Sequence, residues 1–253
     1  MSKLEPEEIP TLKWQLTTES SESYVQILRS VLKDWYSRPR EGWHVSDIIM
    51  CPRQRIFKMI SPTAPTDREL NMYSSGKSMH EAIQKLFMSN RMRFEIEKYV
   101  EYEGVQGSVD IYDKKKQEPL EFKTLRSASI REPKIFHVEQ LMYYMAMLDV
   151  PLGQIIYQCI LQFGDNPFVS FEIIMNDLER ENQRKKLLRE IGSLQLAADM
   201  KDPSLARGVF SDKNMNWLCK DCPYVKSCEI IERSTSVTNM EKFSSDYVDH
   251  LGD

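Results

Sequence analysis

At 253 residues, 41% hydrophobic and 28% charged, the chain suits one large domain or a core with a small appendage, and wholesale disorder is excluded. Nine Gly, 12 Pro and five Cys exclude collagen-like and disulfide-scaffold classes, and no apolar run approaches the ~20 residues of a membrane helix. The net charge of -4 hides an asymmetry: residues 1–23 carry -3 and residues 229–253 carry -4, which leaves a mildly basic body of +3 that permits contact with phosphates.

The start, MSKLEPEEIP, has acids where a secretory signal has basic and then apolar residues, so a cytoplasmic protein is expected. Residues 1–22, rich in Glu, Ser and Thr, read as a flexible acidic arm. From Tyr24, Ile27, Leu28, Val31, Leu32 and Trp35 recur at helical spacing and predict an amphipathic helix. Ser46 stands as an N-cap before Ile48 and Ile49, with Cys51-Pro52-Arg53 in or beside that helix. Thr66 caps the next helix, which is expected to break near Gly76 and continue through Met79, Ile83, Leu86 and Phe87.

The apolar period then falls from about 3.6 to 2. Phe94 to Tyr102, Gly107 to Ile111 and Pro119 to Thr124 alternate, with a polar turn at Asp113 to Gln117, which predicts an antiparallel meander. Helical spacing returns over 134–149. Two β-rich stretches, 154–163 and 168–174, flank a Gly164-Asp165-Asn166-Pro167 turn. Asp177 to Met200 reads as a long charged helix. The expected division is the arm at 1–22, a helical layer at 23–90 with Cys51 and His80, a core at 91–200, a Cys-rich segment at 201–230 and an acidic tail at 231–253. Helices before and after a sheet make a mixed α/β fold.

The most informative residues are Gly107-Ser-Val-Asp110 and Glu121-Phe122-Lys123. Strand residues two apart share a face, so Glu121 and Lys123 point one way and Phe122 points into the core. Asp110, on the preceding strand, faces them across the turn. Two convergent carboxylates repel, and a divalent cation with a preference for oxygen ligands, Mg²⁺ or Mn²⁺, is the usual relief. Such an ion polarises a phosphoryl oxygen and acidifies a bound water, while Lys123 offsets transition-state charge. Taken alone the pattern is short, and a solvent-facing Glu/Lys pair of at most about 1 kcal/mol is its plain alternative. Upstream, His80 offers a third ligand, and an imidazole beside two carboxylates favours Mn²⁺. Downstream, Gln140 and Tyr144 lie four apart on one helix face, with His137 nearby.

The order His80, Gly107 to Asp110, Glu121 with Lys123, and Gln140 with Tyr144 resembles the PD-(D/E)XK nucleases of the RecB-like group, over about residues 44–228. The resemblance implies a restriction-endonuclease-like core. It implies Asp110, Glu121, Lys123, Gln140 and Tyr144 as the catalytic set, and His80, Asp110 and Glu121 as ligands of Mg²⁺ or Mn²⁺.

Cys219, Cys222 and Cys228 form a trio 168 residues beyond Cys51, while Cys159 sits inside an apolar strand and reads as core. Four thiols suffice for tetrahedral Zn²⁺ or a [4Fe-4S] cluster, and spacing alone does not separate the two. The three-plus-one layout, with Cys51 in Cys-Pro-Arg, resembles the iron–sulfur clasp of the RecB-like subgroup that includes AddB-type helicase–nucleases and CRISPR-associated adaptation exonucleases. No P-loop motif is present, so no helicase activity is expected. The resemblance implies hydrolysis of DNA, on single-stranded ends, in spacer acquisition, phage recombination or repair. CRISPR adaptation proteins or a phage recombination protein would be its partners. Trp43, Arg53, Arg55, Arg126 and Arg131 are candidate stacking and phosphate contacts. A DNA-end-binding adaptor without catalysis and a zinc-stabilised nuclease are the alternatives.

Overall fold

The computed structural model describes residues 24–36, 41–161 and 167–234. The acidic arm, nearly all of the 164–167 turn and the tail beyond 234 lie outside the described residues. In chain order the elements are α1 (Tyr24–Tyr36), β1 (Trp43–His44), α2 (Val45–Ile49), α3 (Pro52–Ile60), α4 (Asp67–Met88), β2 (Phe94–Tyr102), β3 (Val105–Asp113), β4 (Glu118–Leu125), α5 (Ile135–Leu148), β5 (Leu152–Cys159), β6 (Phe168–Ile174) and α6 (Asp177–Asp199). Short 3-10 turns follow at Pro203–Leu205 and Asn216–Cys219, and residues 225–234 are helical. No described helix is long and apolar enough to cross a membrane.

Two compact units divide the chain. The smaller contains α1 and residues 64–74; in it Arg29 pairs with Asp67, and the Tyr36 and Tyr73 rings meet edge-on at 5.6 Å. Helix α1 forms as its spacing predicts, yet Ile27, Leu28 and Val31 stay about half exposed or more. The larger unit, residues 40–63 and 75–253, carries the sheet.

Two local expectations are corrected. The cap of α2 is His44, not Ser46: the His44 amide donates to the Asp47 carboxylate at 2.9 Å, a three-residue reach that Ser46, inside the helix, cannot make. Helix α4 runs unbroken through Gly76, because one glycine costs only about 1 kcal/mol in a helix. Thr66 does cap it, with reciprocal bonds to Glu69.

The described strands form one mixed sheet in the order β1-β3-β4-β5-β6, with β2 also paired to β3. Strands β2, β3 and β4 make the expected antiparallel meander. Strands β4 and β5 are parallel, and parallel neighbours need a long crossover. Helix α5 is that crossover, which lays it across the sheet. It bridges the core: Tyr143 and Tyr144 pack with Val45, Val100, Val105 and Val109, while Leu141 and Met145 pack with Ile155, Tyr157 and Met175. Each fully buried aliphatic chain contributes roughly 1.5–3 kcal/mol.

Strand β3 has an unusual edge. Strand β2 pairs along almost its whole length. Both β1, at Val105 and Gln106, and β4, at Ile111 to Asp113, must therefore share the opposite edge. Between them, among the described residues, Gly107 to Asp110 has no strand on that side. The sheet opens at the segment that carries Asp110.

Candidate active site

Asp110 stands where β3 and β4 part. The ladder ends at Ile111 and Leu120, and beyond it the Asp110 carboxylate accepts the Phe122 amide at 2.8 Å. A side chain thus replaces a backbone acceptor, which fixes the carboxylate and satisfies the amide of the splayed strand. The other Asp110 oxygen lies 3.5 Å from His80 Nδ1, and the His80 ring rests edge-on against Phe122 at 5.6 Å. Helix α4 thereby brings His80 to the site.

Glu121 and Lys123 share a face, as strand alternation requires. Lys123 Nζ lies 2.5 Å from Glu121 Oε1 and donates to Gln140 Oε1 at 3.1 Å. Gln140 Nε2 donates in turn to the Tyr144 hydroxyl at 3.2 Å, and that hydroxyl also accepts the Ser108 amide on the open edge of β3. One chain of polar contacts therefore runs from β4 through α5 to β3. Gly107 makes the last contact feasible: a Cβ there would stand 2.6 Å from Tyr144 Cε1. The sequence shows a glycine before the acid, and the packing supplies its reason.

Glu121 is 1% exposed, and its Oε2 is buried without a hydrogen-bond partner. Burial first, then the neighbouring Asp110 charge, pushes its carboxyl up to about 7 against the pull of Lys123. Burial also pushes Asp110 up, but the His80 bond and the Lys123 charge outweigh it and hold that carboxyl below its ordinary value. Burial pulls Lys123 down, and the two carboxylates more than restore it. The site thus holds excess negative potential beside an unspent carboxylate oxygen, the donor chemistry that a divalent cation fits. Among the described residues, however, no three His, Cys, Asp or Glu side chains stand in ligating geometry as they are. Asp110 is turned to Phe122 and His80, and Glu121 to Lys123.

His137 lies apart from this chain of contacts: its Nδ1 meets the Tyr157 hydroxyl at 2.9 Å, and burial drives its pKa down to about 3. Tyr157, paired with Lys123 across the β4–β5 ladder, was not anticipated. Its signal was a tyrosine two residues after Ile155, on the buried side of the strand.

The four cysteines expected to act together lie near enough to influence one another electrostatically, although no three of them stand in ligating geometry among the described residues. Burial raises the Cys51 thiol, and Cys228 and Cys222 raise it further. Cys219 is pushed up to about 11 by burial and then by Cys51, Cys228 and Cys222. Cys51 caps α3, whose first turn sends Arg53 to Cys228 Sγ at 3.2 Å and Gln54 to Cys222 Sγ at 3.5 Å. Cys159 is buried at the end of β5.

Arg53 is corrected as a DNA contact. It is 7% exposed, and its guanidinium is committed to Glu232 at 2.7 Å, the Ala206 carbonyl at 3.1 Å and Cys228. Gly208 leaves room for it, since a Cβ there would lie 2.7 Å from the guanidinium carbon. Trp43 donates to Gln195 at 2.6 Å and packs on the core, and Arg55 lies 3.5 Å from Asp47. Arg126 and Arg131 are exposed.

No family model matches the sequence, and no curated protein matches it. Solved structures do. The crystal structure of SSO0001 aligns with a TM-score of 0.51 at 19% identity, over 79% of this chain and 92% of that one. The two share a fold. An alkaline exonuclease from Laribacter hongkongensis aligns at 12% identity and a TM-score of 0.44, over 66% of this chain and 94% of its own. A phage-related exonuclease from Haemophilus somnus 129PT aligns at 13% and 0.40, over 62% and 83%.

Proposed function

We propose that this chain is a metal-dependent deoxyribonuclease with a restriction-endonuclease-like core that hydrolyses phosphodiester bonds of DNA, acting on single-stranded ends. The observation that carries the reading is the buried Glu121 carboxylate, with one oxygen on Lys123 and the other unpartnered, beside Asp110. A solvent-facing Glu/Lys pair has neither feature. Asp110 and Glu121 are the carboxylates that would hold Mg²⁺ or Mn²⁺, with His80 adjoining Asp110. The ion would supply polarisation of the phosphoryl oxygen and an acidified water. Lys123, held by Glu121 and Gln140, presents an ammonium to the charge that develops on phosphorus-bound oxygen. Gln140 and Tyr144 fix that lysine and the open edge of β3. They are positioning groups with no charge of their own.

The test is degradation of a labelled single-stranded oligonucleotide with Mg²⁺ or Mn²⁺. Asp110→Ala and Glu121→Ala should abolish cleavage and leave DNA binding. Wild-type rates in purified Asp110→Ala would refute the assignment.

The same reading takes Cys51, Cys219, Cys222 and Cys228 as ligands of a [4Fe-4S] cluster that ties α3 to the C-terminal segment. What supports it is the convergence of four thiols across 168 residues, on a helix cap whose neighbours already bond to two of the sulfurs. Visible absorption and metal analysis of anaerobically purified protein test it. Stoichiometric zinc in colourless protein would replace iron with the zinc-stabilised alternative. Processing of DNA ends in spacer acquisition, phage recombination or repair is the setting this chemistry serves.

A further inference from the structure

The gap on the edge of β3 does more than expose Asp110. It opens into a cavity of about 330 Å³ lined by His44, Ser46, Tyr99, Gln106, Ser108 and the ring of Tyr144, with Val45 and Gly107. Three features define its chemistry. No Lys, Arg, Asp or Glu lines it, so it is built neither for a phosphate nor for a cation. It has polar groups for a ring with donors and acceptors: among the described residues the Gln106 side-chain amide makes no hydrogen bond, and such an amide carries both donors and an acceptor. Its aromatic face is Tyr99, 58% exposed, whose hydroxyl is turned aside to Glu101 at 2.6 Å.

Position links the cavity to the metal site. Tyr99 pairs with Ser108 across the β2–β3 ladder, and Ser108 lies two residues from Asp110 on the same strand. Residues two apart on a strand share a face and are roughly 7 Å apart. Tyr144 closes the space between the two, with its ring in the cavity and its hydroxyl on Gln140. A strand of DNA whose phosphate sits at Asp110 and Glu121 therefore carries an adjoining base to this cavity.

We infer that this cavity is a nucleobase subsite. In it Tyr99 stacks on the base next to the scissile phosphate, and Gln106 bonds to the edge of that base. The inference rests on the nuclease reading for the location of the phosphate.

The experiment measures both binding and cleavage of a fluorescent single-stranded oligonucleotide by the full chain. Binding is read in EDTA, where no cleavage occurs. Tyr99→Ala should weaken binding and raise KM about tenfold, the scale of one lost base–aromatic stack, with kcat little changed. Tyr99→Phe should restore both, because the ring and not the hydroxyl carries the contact. Gln106→Ala should reduce discrimination among the four bases at one position. An oligonucleotide abasic at that position should bind wild type and Tyr99→Ala equally. Wild-type cleavage with an unchanged KM in both Tyr99→Ala and Gln106→Ala overturns the subsite and leaves the nuclease standing. Tyr99-dependent binding by a protein that cleaves nothing under any metal overturns the nuclease and leaves the subsite. Absence of all binding and cleavage overturns both.

Discussion

The carboxylate–lysine centre and the cysteine centre are each assembled from distant residues, by different physical means. Asp110, Glu121 and Lys123 lie on neighbouring strands of one meander, and Gln140 and Tyr144 lie on the crossover helix that follows. Ladder register and strand alternation bring them together before any ligand binds, and opposite charges compensate their burial. The cysteine centre draws Cys51 toward Cys219, Cys222 and Cys228, with no ladder between them. The Cys51 and Cys219 thiols, raised by burial and by the neighbouring cysteines, resist ionisation. A metal that took them as thiolates would reverse that, so the proposed clasp would depend on its ligand where the first centre does not. On the proposed reading the fold makes one site, and the other would help to make the fold.

The sharpest way to break this contrast is to damage each centre and measure both activity and stability. Asp110→Ala should cut cleavage by about 10²–10³-fold or more while the melting temperature moves little. Cys51→Ser should do the opposite. Closing so long a loop is worth up to about 5 kcal/mol by analogy with a disulfide, so loss of the clasp should lower Tm on the order of 10 °C, with activity per folded molecule largely kept. Cys159→Ser, outside the centre, should retain the clasp. If Cys51→Ser unfolds like wild type in a thermal scan, the clasp has no structural role.

Within the first centre, charge compensation can be tested by denaturant unfolding in EDTA. Lys123→Met leaves Glu121 buried without its cation. Breaking such a pair costs about 3–5 kcal/mol, less whatever protonation of Glu121 recovers. Glu121→Gln keeps the shape and leaves Asp110 to face Lys123, so its loss should be smaller. Equal midpoints for the two variants would show that the pair is not the source of the site's rigidity.

Gly107→Ala probes the link between packing and chemistry. The new Cβ must displace the Tyr144 ring, at a cost of about 1–3 kcal/mol, and cleavage should fall with it. Gly76→Ala is the matched control. A Cβ there meets nothing within 4 Å, and the helix should gain up to about 1 kcal/mol. Destabilisation by both substitutions would remove the steric argument.

The last effect expected, silent at neutral pH, is on pH dependence. His137 is held neutral, chiefly by burial and then by Lys123 and Lys134, with its folded pKa near 3 against an ordinary 6.5. Its contribution is complete above 6.5 and is lost as pH falls from 6.5 toward 3, because the unfolded chain takes up the proton first. His137→Gln should flatten this part of the stability–pH curve. A curve identical to wild type would exclude His137 as its source.

Much of the carboxylate–lysine centre was legible because its signals are periodic. Alternation places Glu121 with Lys123, helical spacing places Gln140 with Tyr144, and the change of period from about 3.6 to 2 marks where the meander begins. Arg53 was misread for the opposite reason. A lone arginine carries no periodic sign of burial, and its partners Glu232, Ala206 and Cys228 lie more than 150 residues away. The helix at Gly76 was misread because a local propensity of about 1 kcal/mol was set against a whole helix.

The sequence by itself determined the residue chemistry: a pair of acids with a lysine, a glutamine four residues before a tyrosine, three clustered thiols and one apart. It also determined the order of the longer helices and strands, which follow from spacing along the chain, but not the two-residue strand β1 or the helix at 225–234. Only the tertiary structure decided that β1 and β4 share one edge of β3 and that, among the described residues, no strand pairs with Gly107 to Asp110 between them. The same holds for Asp110 replacing a backbone acceptor for Phe122, and for Glu121 keeping a buried oxygen unpartnered. These are relations between chain segments whose register is set by how the core fills. No periodicity along one segment encodes which neighbour will be missing from its side.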